Sequence, residues 1–158
     1  MNNKIFDLDK PFDFGSLDLA NPTLLRNNSY FSKLNQGNLK KNLYIQLPKC
    51  ITKQGIVKGS NKTYCELNFS IADKKVIEFF ENLEKTCIEQ IYKNKELWLY
   101  DSQDFNKEDI EELMTTIMKP YKHGKNFLVK TYIKSDKFKI YDENENTLNK
   151  LLLERINS

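Results

Sequence analysis

The feature that most constrains the fold is a change of hydrophobic period along the chain. Residues 43–47, 63–70 and 127–133 alternate apolar and polar side chains, which is the period of a β-strand with one buried face. Between them, residues 73–94 carry apolar side chains at spacings of three and four, which is the period of an amphipathic helix. This order is compatible with antiparallel hairpins and a long helix between two groups of strands.

The first strand group contains a predicted β-hairpin. Residues 51–57 and 63–70 are extended segments, and the glycine and asparagine of residues 58–62 favour a turn between them. In the second segment, alternation places Tyr64 on the outer face with Glu66 and Asn68, and Phe69 on the inner face with Cys65.

Helix-capping residues mark the starts of two predicted helices. Asp73 can cap the long helix, which is expected to run to about Asn94, and residues 97–100 are expected to pack its exit into the core. Asn106 can cap a short helix, where Asp109 three residues later resembles the partner in a capping box.

The predicted fold class is mainly β with inserted helices (α+β). Residues 138–141 are expected to form the last strand of an OB-fold-like five-stranded barrel, with the long helix between the strand groups and a C-terminal helix. The predicted domains are an N-terminal arm or edge extension at 1–39, a nucleic-acid-binding domain at 40–145 and the C-terminal helix at 146–158. That last helix has an apolar stripe formed by Leu148, Leu151, Leu152 and Ile156.

Composition excludes several classes of protein. No run approaches 18 apolar residues, which argues against a membrane span, and the acidic N-terminus argues against a signal peptide. Three cysteines without close spacing indicate a reducing compartment. With one histidine, few glycines and no clustered nucleophile, base and orienting group, we expect no enzyme activity, no metal site and no cofactor.

Charge is distributed unevenly along the chain. Residues 40–65 carry six lysines and no acid, and residues 118–141 carry seven lysines and one aspartate. The intervening residues 66–117 carry thirteen acids against six lysines. If the fold brings the two basic segments together, they form a positive surface that attracts polyanions despite a net charge of only +3. Charge blocks are also common on ordinary solvated faces, so charge alone leaves both interpretations open.

The basic segments also contain tyrosines on predicted outer faces or beside turns. Lysines neutralise phosphates, and aromatic rings stack on unpaired bases, so this combination favours single-stranded nucleic acid. Any one of these tyrosines could equally cover sheet surface. The candidate binding residues are Lys53, Lys58, Lys62, Tyr64, Lys119, Tyr121, Lys122, Lys125, Lys130 and Tyr132.

Several segments together resemble a known family. They are LPKCITKQGIVKGSNKTYCELNF (residues 47–69), FFENLEKTCIEQIY (79–92), MKPYKHGKNFLVKTYI (118–133) and KIYDENEN (139–146). The combination resembles the single-stranded-DNA-binding proteins of nucleocytoplasmic large DNA viruses, which are distantly similar to those of podovirus phages. The resemblance implies an OB-fold that coats exposed DNA without sequence preference during viral replication, recombination and repair.

The expected function is therefore non-enzymatic binding of single-stranded DNA, in the host cytoplasm or nucleus where the virus replicates. Viral replication proteins and further copies of the chain are the other expected partners, and no membrane is expected. The alternative is a virion or scaffold protein that acts through protein–protein contacts at the N-terminal arm and the terminal helix. A nuclease would require carboxylates gathered in a cleft.

Overall fold

The computed structural model describes residues 5–101, 103–134, 137–141 and 144. It confirms a mixed α+β fold made mainly of strands, with two α-helices among these residues. The strands are β1 (Ile5–Asp7), β2 (Leu17–Leu19), β3 (Thr23–Leu24), β4 (Tyr30–Phe31), β5 (Leu34–Gln36), β6 (Lys41–Asn42), β7 (Tyr44–Gln46), β8 (Ile51–Lys58), β9 (Thr63–Ser70), β10 (Met118–Tyr121) and β11 (Asn126–Ile133). The α-helices are α1 (Lys74–Trp98) and α2 (Lys107–Leu113), and Phe14–Ser16 form a short 3-10 helix.

The described chain divides into two compact units, each built from two separate stretches. The first unit contains the described residues up to Pro48 together with Asp73–Thr116. The second contains Lys49–Ala72 together with the described residues from Ile117 onward. The predicted domain boundaries after residues 39 and 145 stay predictions, and the predicted terminal helix lies outside the described residues.

The core of the first unit forms where α1 packs on the N-terminal strands. Phe79 of α1 contacts three phenylalanine rings from the N-terminal segment at centroid distances of 5.4–6.1 Å, contributed by Phe6, Phe12 and Phe14. On β2, Leu17 and Leu19 are buried, and the Gln90 side chain bonds to the backbone of both. The segment predicted as an arm or edge extension therefore contributes to a core.

The two helices begin where their capping residues predicted. Asp73 occupies the N-cap of α1, although its side chain makes no capping hydrogen bond. Asn106 and Asp109 form the predicted capping box of α2, because each side chain accepts a hydrogen bond from the other's backbone N–H at 2.8 Å.

The predicted packing of residues 97–100 into the core is wrong for two of the four. The helix continues past Asn94 to Trp98, which keeps Trp98 on the apolar stripe and turns Leu97 away from it. Leu97 and Tyr100 are 84% and 87% exposed, whereas Trp98 is half-buried with its indole N–H 3.3 Å from the Asn21 side-chain oxygen.

The second unit is a four-stranded antiparallel sheet in the order β10-β11-β9-β8. The predicted hairpin is confirmed as β8 and β9, and a β-bulge lies between Thr52 and Ile56 of β8. Phe69 and Val129 are buried on one face of the sheet, as the alternation predicted. Leu128 and Asn68 are buried on the opposite face, so the expectation of a single buried face is wrong in the middle of the sheet. Among the residues that the structure describes, no pairing joins β8 to β10, so the sheet is open and the expected barrel is not seen.

The expected last strand at residues 138–141 is wrong as a continuous strand. Residues 138–140 have no strand structure, and Tyr141 forms an isolated bridge. The backbone N–H groups of Lys137 and Phe138 both donate to the Lys134 carbonyl, at 2.9 and 3.2 Å. This local turn takes up the amide of Phe138 that a strand would need for its ladder.

Candidate nucleic-acid interface

One face of the four-stranded sheet carries all three predicted stacking tyrosines. Tyr132 lies directly opposite Tyr64, and Tyr121 lies opposite Asn126, which precedes Tyr132 by six residues on β11. Directly opposed residues share a face, and so do residues an even number apart on one strand. We call this surface the tyrosine face.

Tyr64 and Tyr132 are a cross-strand pair with two lysines over their rings. Lys130 Nζ lies 4.2 Å from the centroid of the Tyr64 ring and 5.5 Å from that of Tyr132. Lys62 Nζ lies 4.8 Å from the centroid of the Tyr132 ring. A cation over a ring is stabilised by only about 0.5–1 kcal/mol at an exposed site. The ammonium groups can therefore leave these rings at little energetic cost.

Tyr121 forms a second cluster with one lysine from β8 and one from the turn after β10. Lys53 Nζ and Lys122 Nζ lie 5.4 and 5.6 Å from its ring centroid. Lys53 belongs to edge strand β8 and Tyr121 to the opposite edge strand β10, so the Lys53 side chain lies across the face. The bulge that contains Lys53 is possible because Gly55 adopts a left-handed backbone with φ 72°.

The turn after β10 presents Lys122 and Lys125 to solvent. Lys122, His123 and Gly124 all have left-handed backbone angles, with φ of 51°, 56° and 81°. The Lys125 N–H donates to the Lys122 carbonyl at 3.2 Å, which closes the turn. His123 is exposed here.

The structure brings seven of the ten predicted binding residues into ring–cation contacts. The other three are Lys119, Lys125 and Lys58. Lys119 is exposed and lies on the tyrosine face opposite Leu128, and Lys125 is exposed in the turn. Lys58 is opposite Thr63 at the end of β8, so its side chain belongs to the other face.

The exposure of the three tyrosines differs. Tyr132 is 58% exposed, whereas Tyr64 and Tyr121 are half-buried. The expectation that Tyr64 shares an outer face with Glu66 and Asn68 is correct for the register, but Asn68 is buried. Its side-chain oxygen accepts a hydrogen bond from the Asn126 side-chain amide at 2.9 Å, which gives the buried Asn68 oxygen a partner.

The sheet concentrates positive charge. Residues 49–72 and 117–134 contain nine lysines and one acid, Glu66, which lies opposite Lys130 on the tyrosine face. In contrast, residues 73–116 of the first unit contain twelve acids and six lysines. The two basic segments of the sequence thus meet in one sheet, although Lys40 and Lys41 fall in the first unit.

Two features of the face were not evident from the sequence. The Lys53–Tyr121 contact joins opposite sheet edges, and the Asn68–Asn126 hydrogen bond joins residues 58 positions apart. No local pattern signals either contact, because each depends on the register between strands distant in sequence. The polar side chain of Asn68 at an alternating strand position indicates which face it lies on, but it does not indicate its partner.

Among the described residues, no group of three or more histidine, cysteine, aspartate or glutamate side chains is placed to hold a metal ion. In the same residues, no helix combines the length and apolar character needed to cross a bilayer.

Comparison with protein-family models, curated proteins and solved structures finds no match to this chain.

Proposed function

We propose that this chain binds single-stranded DNA without sequence preference and has no enzymatic activity. The observation that carries the proposal is that three tyrosine rings lie on one sheet face, each with at least one lysine ammonium within 5.6 Å of its centroid. Rings supply stacking to any base, and lysines supply charge to any phosphate, so neither contact depends on sequence.

Binding would exchange one set of lysine contacts for another. A base that stacks on Tyr132 takes the ring surface over which Lys62 and Lys130 now lie, at 4.8 and 5.5 Å from the centroid. The displaced ammonium groups remain within reach of the phosphates that flank the stacked base. The exchange is favourable because a charge-assisted contact to phosphate is stronger than an exposed cation–ring contact.

We further propose that the chain acts in viral DNA metabolism and that its sheet is part of an OB-fold-like barrel. The resemblance to single-stranded-DNA-binding proteins of large DNA viruses supports a role in coating DNA during replication, recombination and repair at the site of viral replication. The open sheet with its bulged edge strand supports an OB-fold-like arrangement as far as four strands. Viral replication proteins and a second copy of the chain are the further partners that we propose.

A salt titration tests the proposal. Fluorescence anisotropy with labelled oligo-dT should give a logarithmic affinity that falls linearly with the logarithm of salt concentration, with a slope of about −0.7 for each phosphate neutralised. Lys62→Ala and Lys130→Ala should each make that slope shallower by about 0.7. The exposed lysine Lys93 on α1 gives the matched control, and Lys93→Ala should leave the slope unchanged.

Competition by RNA and duplex DNA completes that experiment. Stacking requires unpaired bases, so we expect duplex to compete poorly. Absence of oligo-dT binding at low salt, by protein that is folded by circular dichroism, would overturn the proposed function.

A scaffold role is the second candidate, because the first unit exposes an apolar hairpin. Leu24 of β3 and Phe31 of β4 are each 59% exposed, and Tyr30 is 45% exposed. Exposed apolar groups clustered on one hairpin are typical of a protein contact. If they mediate assembly, the double variant Leu24→Ser, Phe31→Ser should reduce the sedimentation coefficient of an oligomer and leave oligo-dT binding intact.

A further inference from the structure

We propose, resting on the function proposed above, that the tyrosine face holds a single strand at two separate stacking subsites. The first subsite is the Tyr64–Tyr132 pair, and the second is Tyr121. The alternative arrangement is one continuous platform, on which every base of the bound segment stacks.

The register sets the distance between the subsites. Tyr121 is opposite Asn126, and Tyr132 follows Asn126 by six residues on β11. At about 3.3 Å per residue, the two subsites are roughly 20 Å apart along the strand direction. A ligand shorter than this distance can occupy only one of them.

The middle of the face offers no ring for stacking. Between the subsites, Leu128 and Asn68 lie opposite each other and are both buried, at 4% and 5% exposed. Lys119, Lys130 and Ile51 are exposed in this stretch, and the first two are cations. Intervening nucleotides are therefore held through their phosphates, while the bases at the two ends are held by stacking.

This spacing predicts a minimum ligand length. A fully stacked strand advances about 3.4 Å per nucleotide, so it needs about seven nucleotides to join the subsites. A more extended strand joins the subsites with fewer nucleotides. These lengths fall within the site sizes of roughly 4–16 nucleotides known for one OB-fold.

The first test is the length dependence of oligo-dT affinity from three to twelve nucleotides. We expect a step between about four and seven nucleotides. Tyr121→Ala should reduce the affinity for the nine-mer about tenfold, since one stacked base is lost, and should change that for the three-mer less than about twofold. The exposed Tyr100 of the first unit supplies the control variant Tyr100→Ala, which should match the wild type at every length.

The second test removes bases and keeps phosphates. In the shortest oligomer beyond the step, abasic residues at all interior positions should lower affinity less than about threefold. Abasic residues at both ends should lower it by tenfold or more.

The outcomes separate the two proposals. A smooth rise in affinity with length, together with equal losses from interior and terminal abasic residues, would overturn the two-subsite arrangement and leave single-strand binding intact. No binding of the twelve-mer at low salt by folded protein would instead overturn the proposed function, and the subsites with it.

Discussion

Glu66 is the residue whose charge opposes the proposed ligand. It is half-buried on the tyrosine face, opposite Lys130, and is the single acid in the two sheet-forming stretches at 49–72 and 117–134. Lys130 nonetheless lies over the rings of Tyr64 and Tyr132. A carboxylate in this position repels phosphate at short range.

Glu66→Gln is therefore expected to increase oligo-dT affinity about two- to fivefold at low salt, corresponding to about 0.5–1 kcal/mol for a partly exposed charge. The measurement is anisotropy at two salt concentrations, and the gain should shrink at the higher one. Glu78→Gln on α1 removes the same charge from the other unit. An equal gain in that variant would show that net charge, and not position, is responsible.

The Cys87 thiol on α1 makes stability depend on pH at the alkaline end. Burial, aided by the nearby Glu84 carboxylate, raises its pKa from 9.0 to about 11. The unfolded chain therefore loses this proton at lower pH than the folded chain does. Between about pH 9 and 11 the folded state binds more protons, so the free energy of unfolding should fall as pH rises.

Urea denaturation at pH 8, 9, 10 and 11 checks this, with Cys87→Ala as the comparison. The fall should be shallower in Cys87→Ala over this window, whatever the variant's stability at pH 8. Parallel curves for the two proteins would contradict the assignment to Cys87.

At the scale of elements, the bulge in β8 sets the position of Lys53. Gly55 allows the bulge because its φ of 72° is disfavoured for residues with a Cβ atom. Gly55→Ala should lower the free energy of unfolding by about 1 kcal/mol and should weaken oligo-dT binding by displacing Lys53 from Tyr121. Gly55→Asn should be milder in both respects, since asparagine tolerates left-handed angles better.

Urea denaturation of the two variants measures the free energy of unfolding, and fluorescence anisotropy measures their affinity for oligo-dT. If Gly55→Ala lowers stability and leaves binding unchanged, the contact between Lys53 and Tyr121 has no part in binding.

Local patterns predicted the elements better than they predicted the pairing of the elements. The β8–β9 hairpin, the start of α1 and the Asn106 capping box follow from signals within a few residues. The last strand failed because the turn at Lys134 competes for the same backbone amides. The opposition of Tyr64 and Tyr132 depends on a register across 68 positions, which no short pattern contains.

For the whole molecule, charge is divided between the units. The sheet stretches have a surplus of eight lysines over acids, and residues 73–116 have twice as many acids as lysines. A net charge of +3 therefore understates the attraction of the sheet for polyanions.

This predicts strong retention on a heparin column. The double variant Lys62→Ala, Lys130→Ala should elute at clearly lower salt than the wild type. The variant Lys74→Ala, Lys93→Ala has the same net charge and should elute close to the wild type. Identical elution of the two double variants would mean that total charge controls retention.

The order of the strands also has a consequence for biosynthesis. The chain completes β9 at Ser70, then makes the 44 residues of Asp73–Thr116 in the other unit, and only then supplies β10 and β11. During translation, the β8–β9 hairpin is made before its central partner β11. An isolated hairpin has only marginal stability in water. A nascent chain that has not reached Tyr121 presents one of the three rings, so the proposed affinity for single-stranded DNA should arise late in translation.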